Sequence, residues 1–86
     1  MAVKADWQAS FTYADGGQIT AHGFVNSGCV NLFKTDSQIV TVFLEGNINV
    51  DTIELFNSRD CNGLAYTGGT GSSNPPDGFY PSYQVY

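Results

Sequence analysis

The chain has 86 residues, three basic against eight acidic for a formal charge of −5, and 42% apolar content. That acidity argues against nucleic acid or an anionic membrane as a partner and against a cationic lytic peptide, while the apolar content argues against disorder. The length suits one domain, and no apolar run approaches the ~20 residues that span a bilayer, so membrane insertion is not expected.

In chain order, Met1-Ala2-Val3-Lys4-Ala5-Asp6 is no signal peptide; residues 1–4 read as a disordered or expression-added N-terminus with Met1 the initiator. Trp7, Ala9, Phe11 and Tyr13 alternate with Gln8, Ser10 and Thr12, which predicts a strand with one apolar face. Asp15-Gly16-Gly17 turns it into a second strand over 18–24, and after Asn26-Ser27-Gly28 a short strand covers 29–33. Lys34-Thr35-Asp36-Ser37 leads into a strand over 38–45, whose nearly continuous apolar run 39–44 predicts a central strand covered on both faces. Gly46-Asn47 connects to a strand over 52–56, and Leu64 to Thr67 forms the next. Residues 68–78 carry Gly, Thr, Ser, Asn and Pro and predict a long loop, and Tyr83-Gln84-Val85-Tyr86 closes the chain as the last strand. Helical periodicity is absent throughout, so residues 1–86 read as a single all-β sandwich domain.

Between the fifth and sixth strands lies Phe56-Asn57-Ser58-Arg59-Asp60-Cys61-Asn62-Gly63. Phe56 ends the apolar alternation of Ile53 and Leu55 with a ring able to cover the turn, and Gly63 supplies positive φ without steric cost. The spacing of Phe56 and Gly63 resembles the Greek-key corner of the βγ-crystallin superfamily: aromatic, acidic residue, three residues, aromatic, any residue, glycine. Asn57 and Cys61 depart from that pattern. With Gly28-Cys29-Val30-Asn31-Leu32 upstream, the segment is similar instead to a group of small secreted fungal proteins with crystallin-like folds, in which an aromatic-polar-Cys-x-Gly segment pairs with Gly-Cys-x-Asn-Leu. The resemblance covers residues 28 to 86, and extends over 5 to 27 if a degenerate second motif precedes Ile39. It implies a Greek-key β-sandwich of two crystallin-like motifs, a secreted location, and a disulfide between Cys29 and Cys61. Closing residues 29 to 61 in that way would be worth roughly 3–4 kcal/mol. The residues alone leave open two free thiols in a cytosolic protein; zinc would need ligands beyond two cysteines and the single His22.

Calcium-binding crystallin domains also carry paired Asn/Asp and a later Ser/Thr before a strand. Here Asp36 and Asp77 each begin an Asp-x4-Ser/Thr window ending at Thr41 and Ser82, but Ser37 and Gly78 take the second acidic place, and Val40 and Pro81 offer no side-chain oxygen. Metal and cofactor are therefore expected to be absent, or calcium held very weakly.

Enzymatic patterns are poor. No Gly-x-Ser-x-Gly elbow exists, Gly68-Gly69-Thr70-Gly71-Ser72-Ser73 lacks the lysine of a phosphate loop, His22 reads as an exposed strand-end residue, and no two carboxylates are marked as neighbours. Binding is better supported: Phe79, Tyr80, Tyr83 and Tyr86 cluster in the tail beside the 68–78 loop and could stack on sugars or anchor a protein. Alternatively Phe79 and Tyr83 complete the core, with Tyr80 and Tyr86 unpartnered on the surface. The Asp15-Gly16-Gly17 tip is a second exposed candidate. The reading is a secreted, non-enzymatic, effector- or toxin-like protein that binds a host or competitor component, or else a carbohydrate-binding or cell-wall module using the tail aromatics.

Overall fold

Alternation in the first strand decides how the core is built. In the computed structural model, which describes residues 6–34, 36–76 and 78–86, β1 (Trp7–Tyr13) buries Trp7, Ala9, Phe11 and Tyr13 and turns Gln8 to solvent. The other strands are β2 (Gln18–Gly23), β3 (Val30–Asn31), β4 (Ile39–Glu45), β5 (Ile53–Phe56), β6 (Leu64–Gly68), β7 (Gly71–Ser73) and β8 (Ser82–Val85). They form two antiparallel sheets with orders β2-β1-β4-β7 and β3-β8-β5-β6. Phe11, Ile39, Val42 and Leu44 from one sheet share a single core with Ile53, Leu55, Tyr83 and Val85 from the other, and the Phe11 and Tyr83 rings stand 4.9 Å apart. The chain is thus all-β, with no α-helix among the described residues.

The two sheet orders are related. Within the first half of the chain β2, β1 and β4 are neighbours; within the second half β6, β5 and β8 are neighbours in the same relation. The third strand of each half crosses to the other sheet, β3 onto β8 and β7 onto β4. Neither half can leave without stripping an edge from both sheets, so the topology makes the halves one cooperative unit.

Two sequence expectations are corrected by this arrangement. β4 is central by hydrogen bonding, between β1 and β7, but only one face is covered: Val40 is 38% and Phe43 39% exposed. A two-layer sandwich covers one face of each sheet. A register shift between Thr12 and Tyr13 opposite β4 explains the unusual apolar run, because Ile39 and Val42, three residues apart, both point inward. The segment 68–78 is not all loop, since Gly71–Ser73 pairs with Val42–Leu44. Its small polar residues give no apolar alternation to read, and backbone pairing to an edge needs none. The expectations for residues 1–4 and Asp77 lie outside the described residues.

The turn after β5 folds over its own sheet. Asn57 N–H donates to the Gly63 carbonyl at 2.9 Å, Phe56 beneath it is only 7% exposed, and Gly63 takes φ +73. A Cβ on Gly63 would also run into the Asn57 side-chain oxygen. Gly63→Ala is therefore expected to cost about 1–2 kcal/mol from the left-handed backbone alone, read as a lower urea midpoint with an unchanged m-value. A neutral result would mean that the turn does not hold this conformation in solution.

Candidate functional site

The Phe56–Gly63 turn is fastened to the segment before it. Cys29 and Cys61 form a disulfide with Cα atoms 5.8 Å apart. Asn31 forms a reciprocal pair with Asp60, its amide donating to the Asp60 carboxylate at 3.0 Å and its oxygen accepting from Asp60 N–H at 2.8 Å. Asp60 and Cys61 sit in the left-handed region with φ of 61 and 55, a conformation that non-glycine residues hold only when their surroundings impose it. Beneath them Ser82, 0% exposed, accepts from Cys61 N–H at 3.0 Å and donates to the Ser58 carbonyl at 2.6 Å. A guanidinium N–H of Arg59 donates to the Leu32 carbonyl at 3.3 Å. Residues 29–32 and 56–63 are thereby one rigid block.

Phe33 leaves this block outward. Leu32 before it is buried, whereas Phe33 is 89% exposed, with the Arg59 guanidinium 5.9 Å from its ring centroid. Among the described residues Arg59 has no carboxylate partner. On the other side the backbone is fixed through Lys34, whose ammonium donates to Asp15 at 2.7 Å and Asp36 at 3.1 Å and lies 5.3 Å from the centre of the Tyr13 ring. An exposed ring beside a guanidinium with no carboxylate partner among the described residues, on a backbone held at both ends, combines residue types enriched at protein interfaces.

Lys34 also governs the Asp15 tip. Its hydrogen bond, joined by Gly17 N–H, lowers the Asp15 pKa below the ordinary carboxylate range, while the hydrogen bonds to Asp15 and then Asp36 raise that of Lys34. Because the folded Asp15 pKa is depressed, its contribution to stability is present above the unfolded pKa and fades as pH falls through the folded one. Lys34→Gln is expected to return Asp15 toward the ordinary range in an NMR titration of its side-chain carbonyl. An unchanged titration would mean that the pair does not form.

The tail aromatics divide. Tyr80 and Tyr83 are buried, at 6% and 3%; the Tyr80 hydroxyl donates to the Pro76 carbonyl, and burial raises the Tyr83 pKa. Phe79 and Tyr86 are outward, at 51% and 41% exposed, with the Tyr86 hydroxyl donating to Glu54 at 2.7 Å. The expected exchange of Phe79 into the core for Tyr80 on the surface is reversed, because the Tyr80 hydroxyl closes the turn from Pro76. The four rings do not present a common outer face.

His22 is exposed, with Nδ1 3.4 Å from the Asp6 carboxylate. Asp36 faces Lys34, and Ser37 accepts Asp15 N–H at 3.1 Å. By role Ser37, and not Thr41, is therefore the counterpart of Ser82: each receives a turn N–H and lies at or just before its half's fourth strand. Among the described residues no three His, Cys, Asp or Glu side chains converge as a metal-holding group, and no helix is long and apolar enough to cross a membrane. No protein-family model, curated protein or solved structure matches this chain.

Phe33 and Arg59 carried no motif that marked them as a site, and Ser82 was marked only as the end of an Asp-x4-Ser/Thr window, not as the support beneath the turn. A usable signal existed for Phe33. In an extended segment consecutive Leu32 and Phe33 take opposite faces, so one of them must face out.

Proposed function

We propose that the chain is a secreted, non-enzymatic interaction protein of effector or toxin type, built on a βγ-crystallin-like Greek-key frame similar to that of small secreted fungal proteins. Its disulfide favours an oxidising compartment. The exchange of third strands between sheets and the glycine-ended turn over Phe56 favour the Greek-key reading. The observation that carries the binding role is Phe33, 89% exposed beside Arg59 on the disulfide-tied block. A host or competitor protein would receive the ring in an apolar pocket and the guanidinium at its rim.

Leaf infiltration and fungal or yeast growth inhibition with purified protein test the reading. Wild type is expected to provoke cell death or growth arrest, and Phe33→Ala to lose at least tenfold in potency at an unchanged melting temperature, since the ring contributes little to the core. A wild type inert in both assays, or a fully active Phe33→Ala, would contradict it.

A carbohydrate-binding role is the second reading, favoured by one observation. On the outer face of β2-β1-β4-β7, Phe43 stands in a cross-strand row with Ser72 on one side and Ser10 and Thr20 on the other, a ring among hydroxyls suited to a neutral sugar. A glycan array with Phe43→Ser as control would support it through binding lost in the variant.

A further inference from the structure

We propose that β2 pairs with β2 of a second copy across a twofold axis at Thr20, joining two sheets into one continuous sheet. The four sheet edges differ. β7 is three residues and β3 two residues long, and β6 carries the irregularity opposite Leu55 and Phe56; short or bulged edges resist pairing. β2, with six residues, has no lysine, proline, acidic residue or bulge, and among the described residues its only strand partner is β1.

Backbone geometry sets the register. Tyr13 N–H donates to the Gly17 carbonyl, so alternation along the β1–β2 pair directs the backbone groups of Ile19, Ala21 and Gly23 to β1 and those of Gln18, Thr20 and His22 to the free edge. A second β2 saturates those free groups only if Thr20 faces Thr20 and Gln18 faces His22 of the other copy. Every resulting side-chain pair is compatible. Threonine meets threonine and an amide meets an imidazole, both favourable cross-strand neighbours. On the inner face Ile19 meets Ala21; both are only partly buried against the core, so a second copy would cover what the first leaves open. At the ends Gly17 meets Gly23, with no side chains to collide. No like charges are placed opposite one another. The twofold contact is isologous and closes at two copies, and its small area makes the dimer weak and concentration-dependent.

Sedimentation velocity from low micromolar to near millimolar protein is the test, using the intact disulfide-bonded chain. A reversible monomer–dimer equilibrium is expected, with dissociation at least tenfold easier in Thr20→Lys, which sets two ammonium groups against each other on the axis. Thr20→Pro removes the free-edge N–H and the long, exposed 3.4 Å hydroxyl contact with Ser10, and is expected to have the same effect while keeping the β1–β2 backbone ladder, confirmed by circular dichroism. Under mild oxidation Thr20→Cys is expected to form a covalent dimer and Gln18→Cys to form little. Monomer at every concentration overturns the proposal, as does a dimer indifferent to both Thr20 substitutions or one cross-linked preferentially through Gln18→Cys. Pairing with a different protein's strand in place of a second copy would appear as the monomeric outcome.

Discussion

Replacing both cysteines, Cys29→Ser with Cys61→Ser, is expected to lower stability by roughly 3 kcal/mol and the thermal midpoint by on the order of 15 °C. The bond spans a sequence separation of 32, and without it the unfolded chain regains the freedom of that loop. The chain-entropy estimate for the loop is roughly 3–4 kcal/mol. Part of it is offset because Asp60 and Cys61, at φ of 61 and 55, relax toward easier backbone angles once released. Asn31 and Ser82 still hold the turn, through Asp60 and Cys61 N–H respectively, so the variant folds but opens first around 56–63. Thermal and urea unfolding measure the loss, and hydrogen exchange locates it. A change below about 1 kcal/mol would mean that the staple does not restrict the unfolded chain as the loop model requires.

Ser82→Ala is expected to cost roughly 2–3 kcal/mol, more than an ordinary serine substitution, because one buried hydroxyl serves two backbone groups. Removing it leaves Cys61 N–H and the Ser58 carbonyl unpaired beneath the turn, and Ser82 itself has 0% exposure. Ser37→Ala is the internal comparison. Among the described residues Ser37, itself 9% exposed, receives only Asp15 N–H in a partly buried contact, so its removal orphans one backbone group and not two, and its loss is about 1–1.5 kcal/mol. Urea midpoints of the two variants should therefore fall in that order. Equal losses would mean that the two halves are stabilised alike despite their unequal turns.

How far the sequence could be read depended on whether side chains or backbone carried each feature. β1 was legible because Trp7, Ala9, Phe11 and Tyr13 place four apolar groups on one side. The folded turn was legible because glycine is the residue for positive φ, and Gly63 takes that angle; the cysteine pairing followed from family resemblance and the disulfide is present. β7 was not, since Gly71, Ser72 and Ser73 join the sheet through backbone groups alone. β4 was misread as covered twice because a register shift let Ile39 and Val42 both point inward, disguising a one-faced strand as a continuous run. At the candidate site, aromatic clustering in the tail drew attention to Tyr80 and Tyr83, which the core absorbs. Phe33 stands alone in sequence, and its role depends on Arg59, which the disulfide and Asn31 bring beside it from 26 positions away.

Exchange of the third strands underlies both the shared core and the block that presents Phe33, and cross-strand nuclear Overhauser contacts test it most directly. In a spectrum of the intact protein, β7 should give contacts to β4, between Ser72 and Phe43 and between Ser73 and Val42, while β3 gives contacts from Val30 to Tyr83. Contacts of β3 with β4 and of β7 with β8, each third strand remaining in its own half, would contradict it.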